Sequence, residues 1–153
     1  MTGTTLGVGV IGMSWVAGEH VKAYLANPHC NVVALAGSSA TRVAEVASNH
    51  GLHDAHQYTD WHELIRDPRV QVVSICSTNE LHVPQAVAAA EAGKHVLIEK
   101  PVALDHAGFR RVQDAIEHHG VKSQVGFELP WSPYFQSVHT MLNADLFGAI
   151  HYA

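Results

Sequence analysis

The chemistry in this chain starts at a glycine. The apolar run Leu6–Ile11 ends at Gly12, and Trp15, Val16, Ala17, His20, Val21, Tyr24 and Leu25 then repeat at three- and four-residue steps. A strand, a tight glycine turn and a helix form the opening unit of a dinucleotide-binding fold. Gly7, Gly9 and Gly12 spell G-x-G-x-x-G, but that match lies inside the strand, whereas the fingerprint must begin where the strand ends. In that register it reads Gly12-Met13-Ser14-Trp15-Val16-Ala17. Gly12 makes the turn, Ala17 permits close helix–strand packing, and Ser14 stands where a second glycine normally lets the backbone approach a pyrophosphate. A Cβ at Ser14 crowds that approach, although its hydroxyl can donate to phosphate. The same residues also fit a βα turn that binds nothing.

Two further groups stand at strand ends. After the apolar run Asn31–Ala36 comes Gly37-Ser38-Ser39-Ala40-Thr41-Arg42, with no Asp or Glu to accept from the hydroxyls of an NAD ribose. Ser38, Ser39 and Arg42 suit a 2′-phosphate, because a guanidinium grips phosphate through a planar fork of donors. This favours NADP, or no strong preference over NAD. The alternative is that Ser39 or Thr41 caps the next helix and Arg42 is solvated. After Val70–Cys76, Ser77, Thr78 and Asn79 place three polar side chains where open α/β sheets bind ligands. His50, His53 and His56 lack a nearby Cys or a helical His pair with Glu, so they read as a polar loop and no metal is expected.

These groups need a scaffold of alternating strands and helices. Helices are expected over 41–50, 61–66 (capped by Asp60), 84–92, 102–119 (with Asp105 as N-cap) and 131–142. Strands are expected at His95–Ile98, 123–127 and 148–152 as well. The near-continuous β-branched run at Val70–Cys76 suits a parallel sheet covered on both faces. The fold class is α/β, a doubly wound, mostly parallel sheet of about six strands. The 153 residues suit one domain, and 47% hydrophobic with 15% charged residues excludes a disordered chain. A net charge of −5 without a basic run argues against nucleic acid. No apolar run approaches a membrane span, and two cysteines suit a reducing cytoplasm.

With these elements placed, Thr78-Asn79 with His82, followed by Ala92-Gly93-Lys94-His95-Val96-Leu97-Ile98-Glu99-Lys100-Pro101, resembles the glucose–fructose oxidoreductase/inositol dehydrogenase (Gfo/Idh/MocA) family. Gly12 with His20 and Ala23, Tyr58-Thr59-Asp60, and Gly120–Phe127 fit the same pattern, so the resemblance spans about Leu6 to Tyr152. It implies hydride transfer between a nicotinamide dinucleotide and a sugar- or polyol-like substrate. It implies that Lys100 is the active-site lysine, whose ammonium can donate to the reacting oxygen. It further implies that Glu99 orients the cofactor end and that Thr78, Asn79 and His82 line the nicotinamide ribose. Pro101 is a candidate cis proline.

The chain departs from the family pattern at Ser14, at the missing ribose carboxylate, and at Pro130, where an Arg is common. The family pattern also places a second α/β domain, with the catalytic His and Asp, after this half. Residues 1–147 therefore read as the dinucleotide-binding domain and 148–153 as the start of the second. Apolar residues near Ile150 and Tyr152 are expected to promote a homo-oligomer. The competing readings are a nucleotide-binding module without turnover and an assembly module of the same fold.

Overall fold

The computed structural model describes residues 5–149. Six parallel strands form one sheet: β1 (Leu6–Ile11), β2 (Cys30–Ala36), β3 (His56–Tyr58), β4 (Val72–Ile75), β5 (His95–Ile98) and β6 (Ser123–Val125). Their order is β3-β2-β1-β4-β5-β6, so the winding reverses between β1 and β4. The helices are α1 (Trp15–Leu25), α2 (Ala40–Asn49), α3 (Trp61–Arg66), α4 (Asn79–Glu91), α5 (His106–His119) and α6 (Pro133–Asn143). This is the doubly wound α/β architecture that the strand–helix alternation predicts.

Strand alternation divides the core in two. Val8 and Val10 of β1 and Leu35 of β2 face Ala17 and Val21 of α1 and Val43, Val46 and Ala47 of α2. On the other face Ile11, Ala34, Ala36, Val73, Ile75, Val96 and Ile98 meet Leu64 and Ile65 of α3, Ala86 and Ala89 of α4, and Val112 of α5. The glycines inside β1 serve this packing. A Cβ on Gly9 would lie 2.6 Å from Leu64 Cδ2, so the bare backbone is what lets α3 sit on the strand.

The sheet's far edge is tied down by a polar knot. The Asp67 carboxylate, 1% exposed, accepts from the Arg69 amide at 2.9 Å, His56 Nδ1 at 2.9 Å, Arg69 Nη2 at 3.1 Å and the Tyr58 hydroxyl at 3.2 Å. Burial works against its ionisation, but the Arg69 hydrogen bonds prevail, helped by His56, and hold the carboxyl well below the usual range.

Several expected elements differ. His56–Tyr58 is a strand, not part of a polar loop; it is a short edge strand whose residues are mostly exposed, so no apolar alternation marks it. Helix α4 begins at Asn79, not Pro84: Thr78 is its N-cap and Pro84 lies within it. Helix α5 begins at His106, after the expected cap Asp105, whose carboxylate accepts from the Gly108 amide. Strand β6 is shorter than 123–127, and Leu129–Trp131 forms a 3-10 turn ahead of α6. Trp15, expected on the apolar face of α1, is 77% exposed. The expected strand over 148–152 falls largely outside the described residues, as do Ile150 and Tyr152. No helix among the described residues is long and apolar enough to cross a membrane.

Candidate active site

The carboxyl ends of β1, β2 and β4 open onto a cleft of about 350 Å³ at the point where strand order reverses. Four segments line it: Gly12–Ser14 from the first turn, Gly37–Ser39 with Arg42 from the second, Cys76–Thr78 from the β4–α4 turn, and Leu81 with Gln85 from α4. Thr59 and Trp61 close the outer end. Among the described residues, Arg42 is the one charged group in this lining, and the lining contains no carboxylate.

Each part follows from local chemistry. Gly12 adopts φ +96°, and a Cβ there would run into the Cys76 carbonyl, so only glycine lets β1 turn this tightly against the end of β4. Ser14 is the N-cap of α1 but does not cap with its side chain; its hydroxyl donates to the Cys76 carbonyl at 3.3 Å. The first turn of α1 therefore has no side-chain cap on its amides, and no acidic side chain competes for them. Free amides and the helix dipole together favour an anion at this position. The turn thus fits the pyrophosphate of a dinucleotide even with Ser14 in place of glycine, since the Ser14 hydroxyl is tied back to β4.

At the other end of the cleft Ser39 caps α2, accepting from the Arg42 amide at 3.4 Å. The Arg42 side chain is not simply solvated. Its Nε donates to the Met13 carbonyl at 3.2 Å and its Nη1 to Glu45 at 3.2 Å, which stretches the guanidinium from α2 to the first turn. Cys76 is 2% exposed; burial, reinforced by the Glu99 charge, pushes its thiol up to about 12, so it is a neutral wall and not a nucleophile.

The structure gathers Gly12, Ser14, Ser38, Ser39, Arg42 and Thr78 around this cleft. The other candidates lie elsewhere. Ala17 is fully buried on the inner face of α1, in the core with Val8 and Val10. Asn79 is exposed and lines a separate hollow between the starts of α4 and α5. His82 is 1% exposed; its Nδ1 faces the Pro101 carbonyl at 2.7 Å and its Nε2 the Ser77 carbonyl at 3.2 Å, so it joins the two strand-end turns from below and does not line the cleft. Lys100 is exposed at the end of β5, and the Lys100–Pro101 bond is cis. Glu99 lies on the α1 side of the sheet, one Oε accepting from the Lys100 amide at 3.3 Å and the other 3.1 Å from His20 Nε2. No spacing in the sequence gives His20 a role beyond its place in the family pattern, because its partners are 54 and 79 residues away.

Comparison with known proteins agrees with this geometry. A family model described as "Oxidoreductase family, NAD-binding Rossmann fold" (Gfo/Idh/MocA) matches residues 6–127. The chain is 36% identical over 147 residues to the inositol 2-dehydrogenase of Salmonella typhimurium, covering 94% of this chain and 43% of that protein. It is 39% identical over 113 residues to the 1,5-anhydro-D-fructose reductase of Ensifer adhaerens, covering 74% of this chain and 33% of the relative. Among solved structures, an NAD-binding oxidoreductase from Klebsiella pneumoniae superposes with a TM-score of 0.83 at 31% identity, over 95% of this chain and 40% of that one. The chain thus spans less than half the length of each of these proteins. The cleft at the strand reversal, the Gly12 turn and the match over 6–127 place this chain in the Gfo/Idh/MocA oxidoreductase family, as its NAD-binding Rossmann fold.

Proposed function

We propose that this chain is the cofactor-binding half of an oxidoreductase that takes NADP in preference to NAD and moves a hydride to or from a sugar- or polyol-like substrate. The observation that carries the cofactor preference is the lining of the cleft: one cation, Arg42, beside Ser14, Ser38 and Ser39, and no carboxylate among the described residues. An NAD ribose needs an acceptor for its hydroxyls, whereas a 2′-phosphate needs donors, and only donors of the second kind carry charge here. Gly12, the first-turn amides of α1 and the Ser14 backbone would hold the pyrophosphate. Thr78 would face the nicotinamide half, with Asn79 and His82 supporting that turn.

The bound nicotinamide supplies the hydride donor or acceptor. Lys100 then donates to the reacting oxygen from the end of β5. The substrate class rests on the relatives, whose names point to inositol and 1,5-anhydro-D-fructose. Residues 1–147 form the dinucleotide-binding unit and 148–153 lead into a second α/β domain. Two free cysteines, one buried and one half-buried, suit the reducing cytoplasm.

A thermal-shift titration tests the reading, since a ligand that binds only the native state raises the melting temperature by mass action. A saturable rise with NADPH, larger than with NADH at equal concentration, is the expected result. No rise with either, on folded protein, would refute the reading and leave an assembly module of the same fold.

A further inference from the structure

The geometry points to His20 as a positioning residue for the nicotinamide end of the cofactor, acting through Glu99; this rests on the cofactor-binding reading above. A dinucleotide with its 2′ end at Arg42 and its pyrophosphate at the start of α1 runs across the sheet in the order β2, β1, β4, β5. Its nicotinamide half then arrives over the ends of β4 and β5, where Glu99 and Lys100 stand.

Glu99 does not stand there loosely. Its side chain and that of His20 are only 13% and 14% exposed. A carboxylate only accepts, so His20 Nε2 donates to Glu99 Oε1 at 3.1 Å, and Nδ1 shares a hydrogen bond with the fully buried Ser74 hydroxyl at 2.9 Å. Glu99 Oε2 accepts from the Lys100 amide. The hydrogen bonds therefore run from Ser74 in β4 through His20 in α1 to Glu99 and the turn that presents Lys100. Room for the carboxylate is built in: a Cβ on Gly126 would collide with Glu99 Oε1. His20, Glu99 and Gly126, with Leu97, Phe127 and Trp131, line a hollow of about 220 Å³. The helix whose amides face the pyrophosphate thus also sets the orientation of Glu99 and Lys100.

The test compares two probes on this chain, NADPH and 2′-phospho-ADP-ribose, which lacks the nicotinamide. His20→Phe keeps the ring volume and removes both hydrogen bonds; His20→Gln keeps one donor and one acceptor. His20→Phe is expected to weaken NADPH about tenfold, to leave 2′-phospho-ADP-ribose within about twofold, and to shift the fluorescence of the bound reduced nicotinamide. His20→Gln is expected to stay near wild type on all three readings. If His20→Phe does not fold, Ser74→Ala, which removes the hydroxyl that anchors the ring and leaves the ring and Glu99 in place, carries the same comparison. Equal weakening of both probes, an unchanged NADPH affinity, or a His20→Gln variant that behaves like His20→Phe would overturn the inference. A wild-type chain that binds neither probe would overturn the cofactor reading, and the inference with it; binding of both probes with no His20 effect would overturn the inference alone.

Discussion

Replacing Arg42 with alanine should separate the two nicotinamide dinucleotides. The guanidinium has two fixed partners, the Met13 carbonyl and Glu45, each at 3.2 Å, and its side chain is 57% exposed. A hydrogen bond to a charged group contributes about 1.5–3 kcal/mol when well formed. Exposure and the shared Glu45 carboxylate place this one just below that range, at about 1.4 kcal/mol, which is about tenfold in affinity. Arg42→Ala should therefore raise the NADPH dissociation constant about tenfold and leave NADH within about twofold. Glu45→Gln, which releases Nη1 and removes a nearby negative charge, should tighten NADPH a few-fold. Added salt should erode the NADPH advantage of the wild type, because the interaction is exposed to screening. Titrations followed by the fluorescence of the reduced nicotinamide measure all of this. A wild type that prefers NADH, or an Arg42→Ala variant that weakens both dinucleotides alike, would refute the argument.

Three other outcomes follow from the fold. Asp67→Asn leaves Arg69, His56 and Tyr58 facing a neutral amide and should cost about 3 kcal/mol of stability, or about 6–12 °C in melting temperature, by thermal denaturation at pH 7. Because the folded carboxyl ionises well below its unfolded value of about 3.9, the stability that Asp67 contributes is fully present above that value and is lost as the pH falls below it. Urea melts at pH 5 and pH 3 should show that loss in the wild type and much less of it in Asp67→Asn. Gly9→Ala forces a methyl group against Leu64 and Val70 and should destabilise the chain by about 1–3 kcal/mol, read as a lower urea midpoint. Cys76, with its thiol pushed up to about 12 by burial, should resist alkylation at pH 8 in the folded chain, and mass spectrometry of the labelled protein checks it.

How much of this is legible in the sequence depends on where the partners lie. Leu6–Ile11, Trp61–Arg66 and His95–Ile98 have the bounds their residues predict, because apolar runs flanked by glycine, Asp60 or Pro carry the signal locally. Register alone sets aside the decoy Gly7 and Gly9, and the structure gives them a packing role against Arg69 and Leu64. The edge strand β3 escapes a sequence reading because His56 and Gln57 face solvent and leave no alternation to read. The start of α4 is displaced in such a reading because Pro84 looks like a first helical residue. The helix in fact starts at Asn79, directly after the Thr78 cap, and Pro84 sits well inside it. On α5 the buried residue is Val112, whereas the larger Phe109 three residues before it is 48% exposed. The Ser74–His20–Glu99 chain is illegible, since its side chains are brought together only by the parallel crossovers, and at Asp67 only the Arg69 contacts are local, while His56 and Tyr58 arrive from the edge strand.

The Arg42 end of the cleft and the Glu99–Lys100 turn outside it are built by different physics, and that has a consequence for how the site can vary. On the proposed reading, selectivity at the Arg42 end would rest on exposed side chains of the β2–α2 turn and the start of α2, none of which supports the core. Substitutions there change the preference between dinucleotides at little cost in stability. At the Glu99 end, the orienting groups are buried between α1, β4 and β5, and Ser74 lies fully inside the sheet. A change there that removes a hydrogen-bonding partner, such as His20→Phe, leaves a polar group unpaired, which costs about 1–3 kcal/mol before any effect on the ligand. Helix α1 connects the two ends: its first turn is the proposed pyrophosphate site, Ala17 and Val21 fix it to the sheet with no exposed surface, and His20 on the same helix is 3.1 Å from Glu99. A shift of α1 along the sheet therefore moves the phosphate donors and the Glu99–Lys100 turn together, so the spacing between the anion site and Lys100 is set by the packing of one helix and not by the loops that carry the contacts.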